Sequence, residues 1–356
     1  REAVRAAFSA GTPLAIRGGG TKRFYTGSAT GTPLDVTGHR GIVSYEPTEL
    51  VITARAGTPL AEIEATLAAD NQMLGFEPPH FTDGIEARGA RQGGPGSASS
   101  PAATLGGTIA CGFSGPRRPY AGSARDFVLG TKIINGKGEV VKFGGQVMKN
   151  VAGFDVSRLM AGSLGTLGVL LEISLKVLPK PAQEITLTFQ MGADEAIRQM
   201  NTWAGQPLPL SAAAYSGDTL YIRLSGSAAG VRAARTKLGG ELLEKGATFW
   251  EELREHQQSY FKTDTPLWRL SVPPAAAPID LPGNWLLDWG GAQRWLVTNA
   301  AAENIHRMVE SAGGYATLFR TSQANAARNS ELPEPARILQ KNIKLSMDPA
   351  GILNPG

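Results

Sequence analysis

Residues 13–22 read Pro-Leu-Ala-Ile-Arg-Gly-Gly-Gly-Thr-Lys, an apolar run that opens directly onto three glycines, a hydroxyl and a cation. Successive glycine N–H groups can form a concave nest for an anion, and Thr21 and Lys22 would add donors, so a diphosphate is the natural guest. The competing reading is a glycine-rich hairpin that touches no ligand. Spacing disfavours the two common nucleotide loops. A Walker loop ends Gly-Lys-Ser/Thr, whereas Arg23 follows Lys22, and Arg23 also occupies the third glycine of a Rossmann Gly-x-Gly-x-x-Gly loop.

Two further glycine motifs follow. Thr104-Leu105-Gly106-Gly107-Thr108-Ile109-Ala110 lies downstream of Phe76-Glu77-Pro78-Pro79, and Gly162-Ser163-Leu164-Gly165-Thr166-Leu167-Gly168-Val169 lies downstream of Lys149-Asn150-Val151-Ala152-Gly153-Phe154-Asp155. Each alone also reads as a set of β-turns.

Other chemistries find little support. His39, His80, His256 and His306 are widely separated and form no metal box. Cys111 is the only cysteine, so the chain makes no internal disulfide and cannot ligate a four-thiolate iron–sulfur cluster. Any such relay belongs to another chain. The 35 basic and 31 acidic residues are dispersed, which argues against a nucleic-acid partner. No apolar run of about 18 residues is present, so membrane association is expected only through partners, in a cytoplasmic setting. The start, Arg1 to Phe8, reads as an amphipathic helix, and the missing initiator Met as trimming.

The elements that must position these motifs fall into three stretches. Up to residue 181, short apolar or β-branched runs at 14–16, 41–45, 51–54, 132–134, 140–143 and 169–177 alternate with glycine-rich turns. One helix interrupts them, Pro59 to Asn71, with Thr58 expected as N-cap. Gly84–Pro101 reads as a long loop. Residues 182–330 alternate strands and helices, including helices over 229–245 and 250–261, and suggest an α+β domain with a mostly antiparallel sheet. Residues 331–356 carry a helix and a Pro/Gly-rich end, and are expected to return to the first domain.

In this order and spacing the three glycine motifs resemble the vanillyl-alcohol-oxidase/para-cresol-methylhydroxylase flavoprotein superfamily. The likeness covers 13–181 and returns at Asp348-Pro349 through Asn354-Pro355-Gly356. Gly115-Pro116-Arg117-Arg118, Leu267-Trp268-Arg269-Leu270 and Asp288-Trp289-Gly290-Gly291-Ala292-Gln293-Arg294-Trp295 are similar to the FAD-binding subunits of bacterial glycolate oxidases. The resemblance implies an α+β fold: a PCMH-type FAD-binding domain of two α/β subdomains, plus a smaller cap domain. It also implies that Arg17, Gly18, Gly19, Gly20, Thr21 and Lys22 hold the FAD pyrophosphate. Pro78, Thr104, Gly106, Gly107 and Thr108 would line the flavin side, and Gly168 and Val169 the adenosine end. Thr21 stands where covalent families place His, which implies non-covalent FAD.

The implied activity is FAD-dependent oxidation of glycolate or another small 2-hydroxy acid, in a complex with a larger homologous FAD-binding subunit and an iron–sulfur subunit. Catalytic relatives read Gly-Ser-Glu-Gly where Leu164 stands, and carry a His-x-Gly-Asp-Gly-Asn-type motif absent here. Two alternatives therefore stay open: a free-standing FAD oxidase of a sugar or aryl alcohol, and a non-catalytic structural subunit. For a substrate carboxylate the candidates are Arg269, Arg294 and Arg320, because a guanidinium offers a bidentate fork. Trp250, Trp268, Trp289 and Trp295 are expected to contribute to a subunit contact.

Overall fold

The computed structural model describes residues 1–26, 30–82, 102–145, 155–322, 329 and 332–355. The long loop read at 84–101 and the motif residues 149–154 lie outside the described residues. Through residue 180 the helices are α1 (Glu2–Ala10), α2 (Arg23–Thr26), α3 (Leu60–Ala69), α4 (Leu105–Cys111), α5 (Arg118–Ala121), α6 (Ala124–Phe127) and α7 (Val156–Leu159). The strands there are β1 (Leu14–Arg17), β2 (Thr32–Asp35), β3 (Ile42–Glu46), β4 (Val51–Arg55), β5 (Gln72–Met73), β6 (Val128–Ile134), β7 (Val140–Gly144), β8 (Val169–Lys176) and β9 (Leu178–Pro179).

Two compact units emerge: residues 1–114, 122–180 and 332–356 form the first, and residues 115–121 and 181–331 the second. The first unit holds an antiparallel sheet in the order β3-β4-β8-β6-β7 and a parallel pair, β1 with β2. Its chain order alternates turn and strand because the apolar runs are too short for helices. Helix α3 begins later than expected. Pro59 is its N-cap, while the Thr58 hydroxyl accepts the Gly41 N–H at 2.9 Å and donates to the Gly41 carbonyl at 3.2 Å. The hydroxyl thus ties the β2–β3 connection rather than capping a helix. The second glycine motif is not a series of turns either, since it forms α4.

The C-terminal segment carries α12 (Glu334–Met347) and closes the first unit. Asp348 is fully buried, and its carboxylate accepts the Lys344 ammonium at 2.6 Å and the N–H groups of Leu353 at 2.8 Å and Ile352 at 3.2 Å. Lys344 also donates to the carbonyls of Thr166 and Leu353. Gly136 has no room for a side chain here, because a Cβ would lie 2.3 Å from Asp348 Oδ1. Ile352 and Leu353 then join Val4, Ala7, Leu14, Ile134 and Val169 in one core cluster. On α12 itself, Ile338, Leu339 and Leu345 face solvent.

The second unit is a wholly antiparallel eight-stranded sheet. Its strands are β10 (Gln183–Gln190), β11 (Leu210–Ser216), β12 (Thr219–Gly226), β13 (Glu241–Leu242), β14 (Leu267–Ser271), β15 (Asn284–Asp288), β16 (Gln293–Val297) and β17 (Tyr315–Arg320). They lie in the order β13-β10-β12-β11-β15-β16-β14-β17. Helices α8 (Ala193–Ala204) and α9 (Ala228–Leu238) cover one end of the sheet, packing Ile197, Met200 and Val231 onto Leu187, Leu220 and Ile222. Helix α11 (Ala302–Ser311) covers the other end through Ile305 and Val309.

Two helices expected here are shorter than their apolar pattern suggested. α9 stops at Gly239 and Gly240, whose φ values of +68° and +79° turn the chain into β13. α10 (Gly246–Arg254) is separated from a 3-10 turn at Ser259–Phe261 by His256, which sits at φ +56°. Trp250, Trp268 and Trp295 are buried in this unit at 3–4% exposure, so they belong to its own core and present no contact surface. The wide sheet has two faces to cover, which accounts for the aromatic content.

Removing the Asp348 carboxylate leaves two buried amides without their acceptor and takes from the Lys344 ammonium its charged partner. Asp348→Ala is expected to destabilise the first unit by about 3 kcal/mol, the scale for breaking a buried pair. Urea unfolding against the unsubstituted chain measures this; an unchanged midpoint would show that the tail does not hold the unit together.

Candidate functional site: a glycine cradle in the first unit

Strand β1 ends at Arg17 and releases the chain into Gly18–Lys22. The loop lies hard against the segment entering α4. A Cβ on Gly18 would stand 2.6 Å from Thr104 Oγ1, and one on Gly19 only 1.6 Å from the Ala102 carbonyl oxygen. Gly20 adopts φ +79°, a conformation that side chains disfavour. The N–H groups of Gly18, Gly19, Gly20 and Thr21 meet no acceptor among the described residues. Four successive donors of this kind suit an anion with several oxygens.

Charge reinforces the amides. Lys22 is buried at 6% exposure, donates to Thr21 Oγ1 at 3.1 Å and stands 5.8 Å from the Phe81 ring. Thr21 is buried with it, whereas Arg17 is exposed. Behind them Tyr25 meets Phe113 edge-on at 4.8 Å and Phe24 meets Phe81 at 5.5 Å, so one wall of the loop is aromatic. Burial pushes the Cys111 thiol up to about 11, and the Lys22 charge only partly opposes this. The thiol stays neutral and weakly nucleophilic.

The first turn of α4 plays another part than its glycines suggested. Its amides already have acceptors: Leu105 N–H donates to Thr58 O at 2.9 Å, Gly106 N–H to Ala56 O at 2.7 Å, and Gly107 N–H to Thr104 Oγ1 at 3.4 Å. Gly106 is a packing glycine, since a Cβ would lie 2.8 Å from that of Ala56. Thr104 caps the helix and at the same time walls the first loop at Gly18. Thr108 is fully buried, and its hydroxyl has no hydrogen-bond partner among the described residues. Pro78 is buried just after Glu77, which adopts φ +46°.

The third motif meets the other end of α4. Gly162 N–H donates to Ile109 O at 3.0 Å and Leu164 N–H to Ala110 O at 2.8 Å. Gly162, Leu164 and Gly165 all have positive φ. Gly168 and Val169 point inward: a Cβ on Gly168 would meet Ile133 Cδ1 at 2.8 Å, and Val169 belongs to the core beside Leu14. Their side-chain positions face the protein interior, so a ligand would meet only their backbone.

The arginine candidates separate. Arg294 is 1% exposed and donates to the carbonyls of Gly291 at 3.1 Å, Ala277 at 2.7 Å and Ala276, so its guanidinium braces a loop and is not placed for a substrate carboxylate. Arg269, on β14, stands 5.8 Å from the Phe319 ring, and Arg320 donates to the Phe261 carbonyl. Both flank a residue that sequence reading passed over. His256 is buried and stacked on Phe261 at 3.9 Å; burial first, and then the charges of Arg320 and Arg269, push its imidazole well below the ordinary range, so it is neutral. Nothing in a lone histidine beside a helix end signals this environment. Among the described residues no cluster of His, Cys, Asp or Glu is arranged for a metal, and no helix is long and apolar enough to cross a membrane.

Comparison with known proteins gives this chain a cofactor class. Residues 1–94 match the FAD binding domain family. The chain is 48% identical, over all of its length and 95% of the relative's, to the glycolate oxidase subunit GlcE of Escherichia coli K12. It is 39% identical to the glycolate oxidase subunit GlcD of Bacillus subtilis, but over 26% of this chain and 20% of that protein. A D-lactate dehydrogenase of Anaerostipes hadrus is 34% identical over 34% of this chain and 28% of its own. The fold also matches a solved structure of alkyldihydroxyacetonephosphate synthase, with TM-score 0.63, 15% identity, and coverage of 99% of this chain and 73% of that one.

The close approach at Gly19 gives a direct test. Gly19→Ala forces the loop off Ala102 at a cost of about 1–3 kcal/mol, and is expected to weaken FAD by roughly ten- to a hundredfold. Gly38→Ala, where nothing lies within 4 Å, should retain full flavin. Flavin absorbance per folded chain reads both, and equal contents would show that the loop is only a turn.

Proposed function

This chain belongs to the family of the glycolate oxidase subunit GlcE, and from that membership we propose that it is one flavoprotein subunit of a complex that oxidises glycolate and passes the electrons to an iron–sulfur partner. It is an FAD-dependent oxidoreductase acting on a CH–OH group. The observation that carries the reading onto this chain is the row of four amides, Gly18 to Thr21, with no acceptor among the described residues, beside a buried Lys22. The residues present fit the pyrophosphate of FAD: neutral donors supply direction, and Lys22, with Arg23 beside Gly20, supplies charge.

When bound, FAD supplies the acceptor for the electron pair that leaves the hydroxy-bearing carbon. The chain's own work is to hold and orient it. Gly18–Lys22 grip the diphosphate, Thr104 fixes the distance between that loop and α4, and Pro78 and Thr108 belong to the flavin side. Non-covalent attachment is supported by Thr21 at the position after the glycines and by the neutral Cys111 thiol. A small 2-hydroxy acid offers a carboxylate, for which Arg269 and Arg320 are the remaining candidates. Leu164 provides no carboxylate where catalytic relatives carry Glu, which supports a supporting flavin subunit alongside a larger homologous one. With Cys111 as its only cysteine, the chain leaves the cluster to a third subunit. The setting is cytoplasmic, at the membrane only through those partners.

Two outcomes test this reading. Acid or hot-detergent denaturation should release all flavin as FAD, and colour retained by the precipitated chain would contradict non-covalent binding. The isolated yellow protein should reduce dye with glycolate slowly, full turnover requiring the larger flavoprotein and the iron–sulfur subunit. Equal rates for the single chain and the three-component mixture would make it an autonomous oxidase.

A further inference from the structure

The C-terminal tail contributes one side chain that touches two of the three glycine motifs. Asn354 Oδ1 accepts the Ile16 N–H at 2.6 Å, and its Nδ2 donates to the Leu164 carbonyl at 2.8 Å. The orientation of the amide is forced, because a donor stands on one side and an acceptor on the other. The backbone N–H of Asn354 donates to Leu14 O at 3.0 Å, and Leu164 N–H donates to Ala110 O in α4. The node therefore joins β1, the third motif and α4. Asn354 and Leu164 both hold positive φ, +42° and +53°, and a Cβ on Gly165 would come within 2.7 Å of Asn354 Nδ2. Ile16 precedes the first of the four donor amides by two residues.

We infer that Asn354 is a positioning residue for FAD, which through Ile16 sets the direction in which β1 delivers the Gly18–Thr21 amides. The inference rests on the FAD reading above. A glycine-rich loop has no side chains of its own to fix its course, so its aim is inherited from its anchor at Ile16. Of the groups at this node, only an amide can serve the Ile16 N–H and the Leu164 carbonyl together. An isosteric carboxylate keeps the first bond and opposes the second, since two oxygens then face each other. Protonating that carboxylate restores a donor.

The test uses the full chain, stripped of flavin and titrated with FAD by fluorescence quenching from pH 8 to pH 5. Asn354→Asp is expected to raise the dissociation constant at pH 8 by about tenfold relative to the unsubstituted chain, the scale for one opposed buried hydrogen bond. The ratio should fall toward one as pH drops, because the introduced carboxyl then donates to Leu164. Hydrogen exchange of the 13–22 segment should show FAD-dependent protection that weakens in the variant at pH 8. If Asn354→Asp does not fold, Asn354→Ala replaces it, with the same expected loss of affinity and protection and no recovery at low pH. Affinity and protection within twofold of the unsubstituted chain at every pH would overturn the inference while leaving FAD binding intact. An unsubstituted chain that takes up no FAD would instead overturn the reading beneath it.

Discussion

The first unit depends on a seam between its first strand and its last residues. Leu14 N–H donates to Ile352 O at 2.7 Å, and Asn354 N–H returns the bond to Leu14 O. These residues are separated by the whole second unit, so the chain closes a very long loop to make the pair. The entropy of such closure grows only with the logarithm of loop length, so a folded insertion adds little beyond the first tens of residues. What closure requires is a strong local reward at the ends. The buried Asp348, shared by Lys344 and two backbone amides, supplies it, and Leu14 and Leu353 bury their side chains in the same cluster.

From that seam the cradle follows by exclusion of side chains. Once β1 is fixed, the loop after it must pass Ala102 and Thr104 at distances that no Cβ permits, and Gly18 and Gly19 satisfy this. Helix α4 must in turn lie against Ala56, which Gly106 permits. The glycines thus serve two ends: at 18–20 they leave amides without an acceptor among the described residues, and at 106 they let one element approach closely. Only the first use is chemistry.

This division explains what could be read in the sequence. Most strands were legible because alternation and β-branching are local properties, though β2, β5 and β9 were not read, and the mostly antiparallel second sheet followed from short strands alternating with helices. The glycine motifs announced a cradle, but not which glycines pack against other elements, since that depends on Ala56, Ala102 and Ile133 arriving from elsewhere. Thr58 looked like a helix cap because its true partner, Gly41, lies on the far side of β4 in sequence. Arg294 looked available because a sequence does not show the three carbonyls that surround it, and His256 gave no signal because its neutrality comes from Phe261, Arg269 and Arg320. The Asn354-Pro-Gly ending was visible as a motif, but its contacts with Ile16 and Leu164 were not.

The geometry of the cradle is set by the protein's own bonds. Leu164 in the left-handed region costs about 1–2 kcal/mol, and Asn354 a smaller amount because short amide side chains tolerate it. Against this stand the bonds from Leu164 N–H to Ala110 and from Asn354 to Ile16, Leu164 and Leu14, each worth about 1 kcal/mol net. The strain is therefore held by the protein alone and is not left for the ligand to overcome. Affinity for a diphosphate then need not be reduced by the ordering of a floppy glycine loop. Among the described residues Lys22 and Arg23 bring charge to the loop, and the bonds from the C-terminal tail bring its geometry.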